Sequence, residues 1–316
     1  MEQEETSARI ALIDIGSNTI RTVVYAWRNE RWRKRYSERD YTGLIAYIRP
    51  DGRLSEEGIG RLCAVLEHMQ RFCTLCGCAS VTPFSTASLR TITNRRRVLE
   101  IVKRHTGLAI RPLSAEEEMA CDCEALLRSG QRAGVAFDLG GGSCQLFRFD
   151  RGGVRTGASL PFGCLSLEAA FVRKGLFPDK HERRTIKRVV SERLESDLPD
   201  LVNTAPETIL AMGGTARAVL KVLRERLGPE AFPGNRFPCE ALRDWLKASR
   251  HNEAAAVALL RQVIPGRMST LLPGAYAMLA MAKTLNTEHF TVAPVGVREG
   301  FLWKYLSPAH APSTAN

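Results

Sequence analysis

Two short stretches carry one arrangement of residues. "ALIDIGSNTI" (11–20) and "VAFDLGGGSC" (135–144) each run from an apolar, strand-like segment into an aspartate, an apolar residue, a glycine and a small-residue turn. A second strand-like segment follows each turn at once. Turns of small residues can aim successive backbone N–H groups into one concavity that takes an anion. An aspartate at the strand end, beside a bound phosphate, is placed to hold Mg²⁺ directly or through water. Candidate residues for phosphate chemistry are therefore Asp14 with Gly16, Ser17 and Asn18, and Asp138 with Gly140, Gly141, Gly142 and Ser143. A third small-residue turn, "MGGT", adds Gly213, Gly214 and Thr215. A tight hairpin would explain any one of these alone; the repetition favours phosphate binding and two related halves. Uncharged Gln145, two residues past the second turn, is the odd member of the set.

Other signatures are missing from the sequence. It contains no GxxxxGK[ST] loop, no GxGxxG fingerprint and no HExxH. Ser143 is outside a G-x-S-x-G elbow and has no histidine near it in sequence. A serine nucleophile and a zinc hydrolase are not expected.

The elements that must position these residues are legible in outline. Residues 8–27 read as strand, turn, strand, and the basic stretch Arg28 to Arg39 as a third antiparallel strand whose arginines face water or a polyanion. Ser55 predicts a helix N-cap ahead of an apolar pattern of threes and fours. A strand "ASVTPFST", a polar turn "ASLRTITN", a basic helix "RRRVLEIVKRHTG" and a strand "LAIRPL" follow. Ser114 and Glu117 have capping-box spacing at the head of a helix "AEEEMACDCEALLRSG". From 134 the pattern starts over with three strands, then helices near 181–197, 215–227, 238–249, 253–263 and 273–285. The expected domains are 8–130 and 131–307, with a disordered tail at 308–316.

Composition sets outer limits. The 316 residues are 44% hydrophobic and 25% charged, those of an ordinary globular protein long enough for two domains. A formal net charge of +11 attracts polyanions without choosing among them. Lys180, Arg183, Arg184, Lys187 and Arg188 share a predicted helix, as a polyphosphate track or as a solvated face. Nine cysteines without a signal-like N-terminus imply reduced thiols and a cytoplasmic protein. Cys73, Cys76 and Cys78, with His68 upstream, have spacing that permits a metal, but buried structural thiols are expected. No apolar run approaches the ~18 residues of a membrane span, and no nucleic-acid module is visible, so neither membrane nor nucleic acid is an expected partner.

The stretches "DIGSNTIR", "STASLRTITN", "SAEEEMA", "DLGGGSCQL", "LPFGCLSL", "MGGTARA" and "VGVREGFL" come in the order found in the exopolyphosphatase/guanosine pentaphosphate phosphatase family. From about Ile10 to Leu306 the chain resembles the short, two-domain form of that family. The resemblance implies an α/β protein of two ribonuclease-H-like domains, in the actin–Hsp70–sugar kinase superfamily, with the site in an interdomain cleft. It implies a Mg²⁺-dependent hydrolase acting on inorganic polyphosphate or on guanosine pentaphosphate, and a homodimer. Glu118 matches the glutamate that activates the attacking water; Arg90 matches the arginine that holds the reacting phosphate, with Asn94 nearby. Asp14 and Asp138 match the acids near the metal. The sequence departs from the family at Gln145, where a glutamate is usual, at Ser269, where an aspartate is usual, and at Ala115 and Met119 around the "EEE" run. Weaker Mg²⁺ binding follows, and a polyphosphate- or nucleotide-binding sensor of low activity is the alternative.

Overall fold

The computed structural model describes residues 8–29, 31–173 and 175–306; the expected disordered tail lies outside them. In chain order the elements begin β1 (Arg9–Ile15), β2 (Ile20–Arg28), β3 (Arg31–Asp40), α1 (Glu56–Leu75), β4 (Cys78–Ser85), α2 (Ala87–Arg90), α3 (Arg95–Thr106), β5 (Arg111–Pro112) and α4 (Ala115–Arg128). They continue with β6 (Gly134–Leu139), β7 (Cys144–Asp150), β8 (Gly153–Leu160), α5 (Cys164–Phe171), α6 (Lys180–Asp197), β9 (Ile209–Met212) and α7 (Gly213–Leu227). The rest is β10 (Arg236–Pro238), α8 (Cys239–His251), α9 (Glu253–Val263), α10 (Met268–Leu285), β11 (His289–Val292) and α11 (Val297–Tyr305). Two compact units result. Unit 1 takes the chain up to Glu117 and again from Phe301; unit 2 is Glu118–Gly300.

The sheet of unit 1 has the order β3-β2-β1-β4-β5, and that of unit 2 β10-β11-β9-β6-β7-β8. In both, three consecutive antiparallel strands (β1–β2–β3, β6–β7–β8) are extended on the first strand's other side by two parallel strands, and in unit 2 the antiparallel edge strand β10 is added beyond them. The duplication seen in the two motifs is thus a duplication of topology. The first strand of each sheet is central, so its side chains are buried on both faces and the sequence is nearly all apolar, "RIALIDI" and "GVAFDL".

Local chemistry sets the helix starts. Ser55 Oγ accepts from Gly58 N at the head of α1, and Asp179 and Glu182 form a reciprocal capping box at the head of α6. The core of unit 1 packs α1 and α3 on the sheet through Leu62, Leu66, Met69, Val98 and Val102. That of unit 2 packs α6, α7, α8 and α10 through Ile186, Val190, Val219, Trp245 and Met278.

Several expectations change. "LAIRPL" forms only the two-residue β5, and the polar turn after β4 contains the single helical turn α2. Helix α10 begins at Met268 rather than 273, so that Pro273 lies inside it. Helix α5 and strand β10 were not visible in the sequence. Among the described residues no helix is long and apolar enough to cross a membrane.

Candidate active site

The two candidate turns are built alike. Gly16 N–H donates to Thr19 O and Gly140 N–H to Ser143 O, each at 3.0 Å. In the first turn, Ser17 and Asn18 carbonyls accept from Ile45 and Gly43; in the second, Gly140 and Gly141 carbonyls accept from Cys164, Leu165 and Ser166 at the head of α5. The carbonyls are therefore turned inward and bound. Among the described residues, the N–H groups of Ser17, Asn18, Gly141 and Gly142 make no hydrogen bond. That is the polarity an anion nest requires. The glycines also answer to packing: a Cβ on Gly163 would collide with the Gly141–Gly142 peptide, so chain approaches chain here.

Unit 2 gathers further groups around the second turn. Asp138 stands directly across from Gln145, and Gln145 from Ser159, in one row over β6, β7 and β8. Gln145 is buried, and its Nε2 donates to Ser143 Oγ (3.1 Å) and Ser159 Oγ (3.2 Å). A Cβ on Gly213 would strike Asp138 Oδ1, and φ at Gly213 is +85°. Only glycine lets the head of α7 sit on that carboxylate. Gly214 is covered by the Arg267 guanidinium, which occupies the place a Cβ would take. Thr215 is buried with its methyl against Gly274 of α10.

Glu118 and Asp122 are successive inward-facing acids on α4, both buried. Burial, then Asp138, Asp122 and Glu118, push the Cys144 thiol well above its ordinary pKa, so each acid is within electrostatic reach of that thiol. Opposing them is a set of arginines. Burial and then Arg298 push Arg217 down, while Asp138 and Glu299 support its charge and Arg267 opposes it. Arg217 and Arg298 lie inside "MGGTARA" and "VGVREGFL", and Arg267 two residues before Ser269; the sequence does not single them out as site residues. Their signal was a charged residue within a glycine-rich motif.

In unit 1, Asp14 stands across from Arg21, the counterpart of Gln145, and Ser88 Oγ donates to Ile15 O at 2.6 Å beside the turn. Arg90 ends α2; its Nη1 donates to Leu113 O at 3.3 Å, and its charge reaches Glu116. Glu117 closes the capping box with Ser114 and pairs with Arg111 at 2.6 Å. The Ser114 N–H, then the Arg111 guanidinium, hold its carboxyl below the ordinary value against burial. The Oδ1 of Asn94 accepts from Leu54 N (3.0 Å) and its Nδ2 donates to Leu54 O (2.9 Å). With both ends engaged, it clamps the head of α3 to the loop before α1, a structural role beside the one expected for it.

All nine cysteines are free, and burial with the neighbouring Cys78 pushes Cys73 up to about 12. Among the described residues no three His, Cys, Asp or Glu converge as a metal cage. Mg²⁺ does not need one, because it keeps waters and takes one or two carboxylates beside substrate phosphates. Asp138, half-buried and with a neutral carboxamide across from it, is the carboxylate that would serve such an ion. Beyond Arg217 a cavity of about 500 Å³ follows α7, lined by Leu220, Lys221, Arg224, Val292, Ala293 and Pro294 among others.

Two units that share three antiparallel strands extended by parallel ones, each with a tight turn between its first two strands, have the two-domain fold of the actin–Hsp70–sugar kinase kind seen in Ppx/GppA structures. The chain belongs to the Ppx/GppA phosphatase family, whose model matches residues 31–308. Exopolyphosphatase 1 of Mycobacterium leprae is 24% identical over 97% of this chain and 92% of its own. A guanosine-5'-triphosphate,3'-diphosphate pyrophosphatase of Aeromonas hydrophila is 24% identical over 95% of this chain, which spans 60% of that protein. The crystal structure of the Aquifex aeolicus Ppx/GppA family member superposes with a TM-score of 0.75 at 24% identity, covering 93% of this chain and 96% of that one.

Proposed function

We propose that the protein is a phosphoric anhydride hydrolase that removes the terminal phosphate of inorganic polyphosphate. The observation that carries this reading is the pair of turns whose carbonyls are bound inward while their amides remain available. Phosphoryl transfer mainly needs positioning and charge neutralisation, and these amides supply both. The turn amides and Arg90, steadied by Leu113 O, hold phosphate oxygens. Glu118, buried on α4, takes the proton of the attacking water. Asp138 would hold Mg²⁺, with the Gln145 carboxamide as a neutral neighbour, and the ion would offset charge on the leaving phosphate.

The test is phosphate release from long-chain polyphosphate by the wild type and by Glu118→Gln. A loss of roughly 10²–10⁴-fold is expected; equal rates would remove Glu118 from its role. One observation favours guanosine pentaphosphate as a second substrate. The cavity beside Arg217 joins Leu220, Val292, Ala293 and Pro294 to Lys221 and Arg224, a lining suited to a nucleobase as well as to phosphate. Competition between the two substrates decides between them.

A further inference from the structure

Helix α1 ends in a left-handed glycine turn. Cys76 is its C-cap, Gly77 follows at φ +67°, and Gly77 N–H donates to Thr74 O at 3.0 Å. In such a turn the residue three before the C-cap meets the residue two beyond it, normally as an apolar contact. Here those two positions are Cys73 and Cys78. Both pack in the small cluster of Ala11, Val24, Phe72 and Val81 on the sheet of unit 1. Their thiols are hydrogen-bonded to each other. Cys78 and the Gly16 turn lie at opposite ends of the β1–β4 pair, so this corner is separate from the phosphate turn.

The two sulfurs are not equivalent. Cys73 is buried, which keeps its thiol protonated. Cys78 is half-buried and opens β4 directly beside Arg9 of β1. Burial and then Cys76 raise the Cys78 pKa, whereas the Cys73 thiol and the Arg9 guanidinium lower it. Arg9 is fixed at this corner, since its Nη1 donates to Cys76 O at 2.9 Å. A partly exposed thiol beside a cation is the one that ionises and meets solutes. Cys76, in the same turn, acts on both thiols through its charge. The hydrogen bond itself pairs Cys78 with Cys73.

We propose that Cys73 and Cys78 are an oxidisable dithiol: hydrogen peroxide oxidises Cys78, and Cys73 resolves it as a disulfide across the α1–β4 corner. In the first step the Cys78 thiolate attacks one peroxide oxygen and the O–O bond breaks. Cys78 becomes a sulfenic acid, and the other oxygen leaves as hydroxide, which takes a proton to become water. In the second step the Cys73 sulfur attacks the Cys78 sulfur and the S–O bond breaks. The hydroxyl leaves with the Cys73 proton as a second water. The two sulfurs together lose two electrons, and the peroxide gains them. A dithiol reductant reverses the bond by thiol–disulfide exchange. Only Thr74, Leu75, Cys76 and Gly77 separate the two cysteines, so the bond fixes the end of α1 to the start of β4.

The experiment treats the folded wild type with hydrogen peroxide and then blocks the remaining thiols with N-ethylmaleimide in denaturant. After reduction, the recovered thiols are labelled with iodoacetamide and located by tandem mass spectrometry. The count of nine free thiols is expected to fall by two, with the second label at Cys73 and Cys78, and dithiothreitol should restore the count. The same oxidation in urea should lose this selectivity among the cysteines. In folded Cys73→Ala, dimedone should trap a sulfenic acid at Cys78, and Cys76→Ser should leave the pairing unchanged. Recovery of Cys76 with either neighbour overturns the assignment, as does a Cys73–Cys78 pair found only in the urea sample. An unchanged thiol count in the folded protein, at a peroxide level that oxidises it in urea, overturns the dithiol itself. Absence of the dimedone adduct from folded Cys73→Ala overturns the role given to Cys78. The wild type alone decides the pairing, so a variant that fails to fold does not blur the result.

Discussion

Gln145→Glu is the substitution whose outcome the site geometry fixes most closely. Gln145 is buried, with Asp138 directly across the β6–β7 ladder. The two serine hydroxyls that now accept from its Nε2 can rotate to donate to a carboxylate, so the local hydrogen bonds survive. What changes is charge. Two carboxylates about 5 Å apart repel by about 3 kcal/mol at an effective dielectric constant of ~20, and solvent at half-buried Asp138 reduces this to about 1–3 kcal/mol. At about 2–4 °C per kcal/mol, the variant should melt roughly 2–12 °C below the wild type in chelator at neutral pH. The sign with pH follows. Repulsion raises the folded-state pKa of the new carboxyl above its unfolded value, so the deficit is absent at low pH and grows as pH rises through the raised pKa. Mg²⁺ removes the deficit, because the ion binds the folded dicarboxylate; saturation to ~100 Kd is worth about 2.7 kcal/mol. Thermal melts with chelator and across a Mg²⁺ titration, at pH 5 and pH 7.5, make the measurement. A variant as stable as the wild type in chelator, with the same Mg²⁺ response, would refute the placement of the metal beside Asp138. If the placement holds, the same variant also needs less Mg²⁺ for turnover.

Three other outcomes follow from the geometry. Asn94→Ala leaves both Leu54 backbone groups unpaired and should cost about 1–3 kcal/mol in denaturant unfolding with KM unchanged; a raised KM at full stability would put Asn94 at the phosphate site. Gly163→Ala drives a Cβ into the Gly141–Gly142 peptide and should cost about 1–3 kcal/mol, with a fall in kcat as the turn shifts, whereas Gly60→Ala, with open space on α1, should stabilise by roughly 0.5–1 kcal/mol. Equal effects of the two would remove the packing argument. Glu117→Gln should lower stability at neutral pH, and the difference should vanish as pH falls through the lowered Glu117 pKa, since the stabilisation is present above the unfolded value and lost below the folded one. A stability difference independent of pH would show that the carboxylate charge at Glu117 does not matter.

The sequence was most informative where function and local structure share the same few residues. The strand–turn–strand units needed only short-range pattern, and both turns have the expected backbone. The Ser114–Glu117 capping box was equally local. Helix α5 escaped because its head carries no side-chain N-cap of the usual kind. Gly163 stands there, and the Gly140 and Gly141 carbonyls of a distant turn receive the first amides. The clamp made by Asn94 escaped because its polar side chain has a partner forty residues away. Arg217, Arg267 and Arg298 come from three separate segments, and nothing local in a sequence tells that their charges are felt at one place.

The duplication itself yields the last step. Counting seven residues past each strand-end aspartate reaches Arg21 in unit 1 and Gln145 in unit 2, and each stands directly across from its aspartate. The rows continue to Arg39 in one sheet and Ser159 in the other. Identical backbones therefore carry different charge: Asp14 faces a cation, and Asp138 faces a neutral amide. A divalent ion placed beside Asp14 would meet Arg21, whereas beside Asp138 it meets a carboxamide oxygen and two hydroxyls. On the proposed reading, the equivalence of the turns would extend to anion binding, and a divalent cation would go to the second turn. Arg21→Gln, which makes the first row resemble the second, should weaken phosphate binding without creating a second Mg²⁺ site. Calorimetric titration that found a new Mg²⁺ site in that variant would show that the arginine alone separates the two turns.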